Sequence, residues 1–163
     1  MNDQFIKDLS SGINGFLTHL EPMKAVEGLA PSTARKNPSN KYHSCWDLLH
    51  HTVYWQDILL KNIDGKFIDW TTLTNEDNWP SKEKLSKDEN FLELVKKFKE
   101  NLSIVAKKLE NIDLMKGIKI GPEHTPDVTN FRLILVFLQH TSYHIGQIVT
   151  TRKLLGDWKG EQI

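Results

Sequence analysis

Between Asp88 and Ile112, the residues Phe91, Val95, Phe98, Leu102, Val105, Leu109 and Ile112 recur every four and three positions through a strongly charged background. A half-buried strand would repeat every two residues, so this near-heptad stripe admits an amphipathic helix with one apolar seam. Asp88 is the expected N-cap, since its short carboxylate can accept from an amide of the first turn.

Three further helices are predicted around this one. Phe5, Ile6, Leu9, Ile13, Phe16, Leu17 and Leu20 have the same three- and four-residue spacing, weakened by Gly12 and Gly15 and stopped by Pro22. Ser44, with Asp47 three residues on, has the form of a capping box, and the helix behind it is expected to run to Ile63 before Asp64 and Gly65. The last helix is expected over Asn130–Leu155, capped by Asp127 or Thr129 and closed by Gly156. The stretches 28–43 and 66–87 read as long connections, the second with one short helical turn, and the stretch with Gly117, Gly121, Pro122 and Pro126 reads as a loop. No strand and no internal repeat stands out. The expectation is an all-α four-helix bundle with long connecting loops, one domain over residues 1–163.

Lysine plus arginine and aspartate plus glutamate both number 21, so no net positive field draws the chain to nucleic acid or to an anionic membrane. There is no run of about 18 apolar residues, and charges stand where a signal peptide needs its apolar core. Cys45 is the only cysteine, which excludes an internal disulfide and any site needing two thiolates from one chain. A soluble, cytoplasmic protein is the expectation from these features.

The chemistry concentrates in the last helix. Leu133, Phe137, His140, His144, Ile148 and Thr151 lie on one face, so two imidazoles point with the core residues. Residues four apart can present nitrogens to one ion, as in HExxH helices, although the glutamate of that motif is absent here. The alternative is a pair of core histidines satisfied by neighbouring helices. On the helix from Ser44, the inner face through Leu48, His51, Trp55 and Ile58 carries His51, while His50 falls about 100° away. Three imidazoles and an open position form a recurring catalytic metal arrangement. Gln147, one turn beyond His144, can bond a ligand's second nitrogen or a substrate, or serve as a packing amide. His19, His43 and His124 read as surface or supporting histidines, with His43 near His51 in sequence. Tyr143 can be an acid or donor, but its position beside the ligand face favours packing; Cys45 reads as a small buried hydrophobe, and Trp46, Trp55, Trp70 and Trp79 as core or as the wall of an apolar pocket.

Two segments carry a family resemblance: Ser44-Cys45-Trp46-Asp47-Leu48-Leu49-His50-His51, and His140-Thr141-Ser142-Tyr143-His144-Ile145-Gly146-Gln147-Ile148. With the helix order, they resemble the DinB-like superfamily, also called YfiT-like metal-dependent hydrolases, over nearly the whole chain. The resemblance implies a cytoplasmic four-helix bundle, often a homodimer, with His51, His140 and His144 binding a divalent metal ion, zinc or nickel. It also implies thiol chemistry, since characterised members include S-transferases using bacillithiol or mycothiol and a thiol-dependent maleylpyruvate isomerase. The leading expectation is therefore transfer of a low-molecular-weight thiol to an electrophile. The alternatives are a hydrolase in which the ion activates water, and a non-enzymatic stress-associated metal-binding or interaction protein.

Overall fold

The computed structural model describes residues 3–123 and 127–160. Its helices are α1 (Asp3–Ile13), α2 (Pro31–Ala34), α3 (Cys45–Ile63), α4 (Asn75–Asn78), α5 (Asp88–Leu109) and α6 (Asn130–Leu154). The four long ones form an all-α bundle in which α3 packs on both α5 and α6, and α1 on α5. Helices α3 and α6 run antiparallel: Cys45 Sγ faces the Ile148 carbonyl at one end of the seam, and Gln56 Nε2 donates to Thr141 Oγ1 further along it.

The ends of these helices follow local chemistry. Ser44 and Asp47 form the capping box in front of α3, and Thr129 Oγ1 accepts from the Arg132 amide in front of α6. Asp127 is not the cap of α6, because its carboxylate is engaged by Lys119. Asp88 is not a cap either. It sits inside the first turn of α5 and pairs with Arg35, whose guanidinium also lies 5.4 Å over the Trp46 ring. Helix α5 stops at Leu109, short of Ile112, where the amides of Glu110 and Asn111 turn back to the carbonyls of Lys107 and Lys108.

Helix α1 is shorter than its apolar spacing suggests, ending at Ile13 instead of Leu20. Gly15 adopts φ +77°, the Phe16 amide reaches Ser11 O and the Gly15 amide reaches Gly12 O, which together close a Schellman turn. A Cβ at Gly15 would stand 2.7 Å from the His19 carbonyl oxygen. The turn leaves Phe16 and Leu17 exposed, so these two continue the apolar pattern in sequence without joining the core.

The connections hold more structure than expected. One short helix, α2, interrupts residues 28–43, and residues 66–87 hold two 3-10 turns and α4. Gly117–Ile118 (β1) and Val128–Thr129 (β2) form a two-residue antiparallel pair, too short to leave any alternation in the sequence.

The core is lined by the predicted seam of α5 (Phe91, Phe98, Leu102, Val105, Leu109) packed against Trp46, Leu49 and Leu59 of α3 and Leu133, Ile134, Phe137 and Ile148 of α6. Trp46 and Phe91 meet at 5.0 Å between ring centroids. Each large side chain fully buried here contributes about 1.5–3 kcal/mol of transfer free energy. No helix among the described residues is long and apolar enough to cross a membrane.

A buried cation ties the far end of α6 to the rest. Gly156 closes α6 with φ +70° and turns Asp157 back toward Arg152. Arg152, 4% exposed, donates to the carbonyls of Ala25, Glu27 and Asp157 and to the Asp157 carboxylate. Removing one partner of a buried, fully bonded pair costs about 3–5 kcal/mol. Arg152→Met is therefore expected to lower stability by about 3 kcal/mol or more, read as a lower urea midpoint at unchanged slope. Arg152→Lys is expected to recover little, because an ammonium cannot span the same set of acceptors.

Candidate metal centre

His51 stands near the middle of α3, and His140 and His144 lie one turn apart on α6, so the antiparallel α3–α6 seam brings the three rings together. His140 Nε2 lies 3.2 Å from His51 Nε2 and 3.1 Å from His144 Nε2. His144 is buried, and the other two are half-buried. Residues His51 and His140 are 89 positions apart in the chain.

Each ring is held from behind or beside. Gln147 Oε1 accepts from His144 Nδ1 at 2.6 Å, which fixes the proton on Nδ1 and leaves the Nε2 lone pair facing the cluster. Trp79 lies flat on His51, 4.5 Å between centroids and 14° between planes, and His43 also stacks on Trp79, 4.1 Å between centroids. Trp55 approaches His140 edge-on at 6.4 Å and meets Trp70 at 5.4 Å.

The indole of Trp79 is placed by a local chain of bonds. Thr74 and Asp77 form a capping box for α4, Asn78 Nδ2 donates to the Thr74 carbonyl, and His50 Nδ1 donates to the Asn78 carbonyl at 3.3 Å. His50 is thus not one of the clustered ligand nitrogens, as its position on the helix implied, and anchors the loop that brings Trp79 onto His51.

Burial holds all three imidazoles neutral. His140 is pushed down to about 3, first by desolvation and then by His144 and His51. His51 is pushed down to about 4 by desolvation, then by His144, with the nearby Asn78 carbonyl opposing. That carbonyl does not meet His51 Nδ1 in hydrogen-bond geometry, and the buried Nδ1 atoms of His51 and His140 have no protein partner. His144 is lowered by desolvation, against the bond to Gln147.

This arrangement suits a cation. Metal–imidazole bonds of about 2.0–2.1 Å put neighbouring ligand nitrogens about 2.8–3.4 Å apart for angles between 90° and tetrahedral, and the two pairs here fall in that range. Three neutral nitrogens facing one another repel when each presents a lone pair, and a divalent ion relieves all three at once. Among the described residues, these three are the group of histidine, cysteine, aspartate or glutamate side chains able to hold an ion.

The other singled-out residues divide. Trp79 stacks on His51 and Trp55 borders His140, Trp70 stands against Trp55 with its Nε1 donating to Asn62, and Trp46 belongs to the core against Phe91. Cys45 is buried, its thiol pushed up to about 12 chiefly by desolvation, which suits neither a ligand nor a nucleophile. His19 donates from Nδ1 to the Leu20 carbonyl and accepts from Ser142 Oγ, tying the chain after α1 to α6. Tyr143 is 64% exposed, yet its ring packs edge-on against His144 at 5.0 Å between centroids and its hydroxyl accepts from Gln147 Nε2. His124 lies outside the described residues. The stack of His43, Trp79 and His51 left no sequence signal beyond the proximity of His43, since three separate segments build it.

The neutral state has a consequence for the metal-free protein. Unfolded histidine titrates near 6.5, so between that pH and about 4 for His51 or about 3 for His140 the unfolded chain binds protons that the folded one refuses. This part of the stability is whole above pH 6.5 and is lost as pH falls. Thermal melts of metal-free protein should therefore drop between pH 7 and 4.5, and His140→Phe should flatten that drop. An unchanged pH profile in the variant would contradict the assignment of the neutral, buried state.

A family model described as the DinB superfamily matches residues 22–148, a stretch that contains all three histidines and both segments bearing the resemblance. No curated protein and no solved structure matches the chain. The extent of the family match, together with the helical architecture and the three-histidine cluster, places this chain in the DinB superfamily.

Proposed function

We propose that His51, His140 and His144 hold one divalent ion, zinc or nickel, and that the centre activates a low-molecular-weight thiol for S-transfer to an electrophilic small molecule. The observation that carries the reading is the convergence of three neutral Nε2 atoms from two helices at metal-ligand spacing. A divalent ion with an open position deprotonates a coordinated thiol and so supplies the thiolate nucleophile.

The chain's own residues bind and orient. Gln147 sets the tautomer and the plane of His144, Trp79 covers one face of His51, and Trp55 borders His140. Hydrolysis would use the same open position, where a bound ion lowers the pKa of its water to about 7. A thiol brings its own nucleophilic atom to that position and asks only that the ion deprotonate it.

Metal analysis of the purified protein is expected to find about one ion per chain, lost in His51→Ala and in His144→Ala; a wild type unable to bind an ion would overturn both enzymatic readings. Gln147→Leu should keep the fold and weaken metal affinity by about 10–100-fold, the usual effect of removing an outer hydrogen bond to a ligating histidine. With a panel of thiols against an electrophile such as a chloro-dinitroarene, turnover should require both thiol and ion. Turnover of an ester or amide without thiol would replace transfer by hydrolysis. Loss of ion and stability together in His140→Ala, with no small molecule perturbing the centre, would favour a non-enzymatic role.

A further inference from the structure

Beside the three histidines, one turn further along the α3–α6 seam, lies a cleft of about 440 Å³. Lys41, Tyr42 and His43, all exposed, form one bank, Tyr143 and Gln147 of α6 form the other, and Leu48 of α3 lies at its base. Gln147 stands three residues from His144 and Leu48 three from His51, so the cleft begins about 4.5 Å along each helix from the cluster. Two contacts couple it to the histidines: Gln147 Oε1 accepts from His144, and the His43 ring reaches His51 through Trp79.

The formal charge of the cleft is positive, among neutral hydroxyls and the Gln147 amide. Lys41 is its charged side chain, and no carboxylate lines it. The Tyr143 oxygen already accepts from Gln147 Nε2, which leaves its hydroxyl proton to be donated into the cleft. An ammonium and a phenol that donate toward the same space are matched by a carboxylate, an acceptor for both. Leu48 and the tyrosine rings supply apolar contact for a short carbon chain between that carboxylate and the histidines.

We propose that this cleft is the anion subsite of the centre, in which Lys41 and Tyr143 bind the carboxylate of a small-molecule thiol whose sulfur reaches the histidine cluster. The proposal rests on the thiol reading above for the identity of the ligand. Lys41 and Tyr143 are specificity-determining residues in this scheme: they select thiols bearing an acid a few bonds from the sulfur over neutral thiols of equal size.

The test is an NMR titration of isotopically labelled protein with N-acetylcysteine and with its neutral amide, metal-free and with one equivalent of zinc. The acid is expected to bind about fivefold tighter than the amide in both states, a ratio suited to one partly exposed charge pair. The shifts should fall on residues 41–43 and on Gly146 and Gln147. Lys41→Met and Tyr143→Phe, both exposed positions, should bring the ratio toward one, weakening the acid more than the amide. Equal binding of acid and amide, a ratio unmoved by Lys41→Met, or no saturable shift at these residues would overturn the subsite. Zinc should tighten both ligands alike. If zinc adds nothing, the thiol reading fails while the acid-to-amide ratio still judges the cleft.

Discussion

Everything functional in this chain depends on the antiparallel contact between α3 and α6. It is a packing interaction first: Leu49 and Leu59 of one helix are buried with Leu133, Phe137 and Ile148 of the other, with Trp46 and Phe91 closing the layer toward α5. Close packing leaves little freedom for one helix to slide along another. Register along the seam is therefore fixed by volume, and the buried bond from Gln56 to Thr141 is compatible with one register only. His51 faces His140 and His144 because that register is held.

The cost of this placement is borne locally. Three imidazoles packed among aromatic rings lose solvent, stay neutral, and leave the Nδ1 atoms of His51 and His140 without a protein partner. Bundle cores built from apolar side chains alone have no such conflict, and buried polar groups left partly satisfied are expected to have a purpose. The nitrogen spacing and the family match over residues 22–148 fit a metal-binding protein, and the same neutrality that destabilises the metal-free cluster in acid keeps its lone pairs free for an ion.

The loops complete what the helices begin. Residues 66–87 read as a polar connection, yet two 3-10 turns, α4 and its capping box set the Trp79 indole flat on His51. The segment before α3 sets His43 on that same indole and Lys41 and Tyr42 beside Tyr143. Long connections in a bundle of this size thus serve as walls of the site, which is the usual role of ordered loops on a rigid scaffold.

The sequence by itself determined what depends on neighbours within a turn or two. The spacing of Phe91 through Leu109 required a helix, Ser44 with Asp47 and the glycines at 65 and 156 marked helix ends, and the faces of two helices singled out His51, His140 and His144 against His50. It misjudged α1, where apolar spacing continued past a Schellman turn at Gly15, and Asp88, whose carboxylate goes to Arg35 instead of a backbone amide. Tertiary structure alone decided that Trp79 and not Trp46 lies against the histidines, that Tyr143 stays exposed beside His144, and that a cleft opens beside Gln147. Periodicity and capping are local energies that a linear chain records directly. Contacts between segments tens of residues apart are set by how volumes fill a shared core, and no short stretch of sequence encodes that.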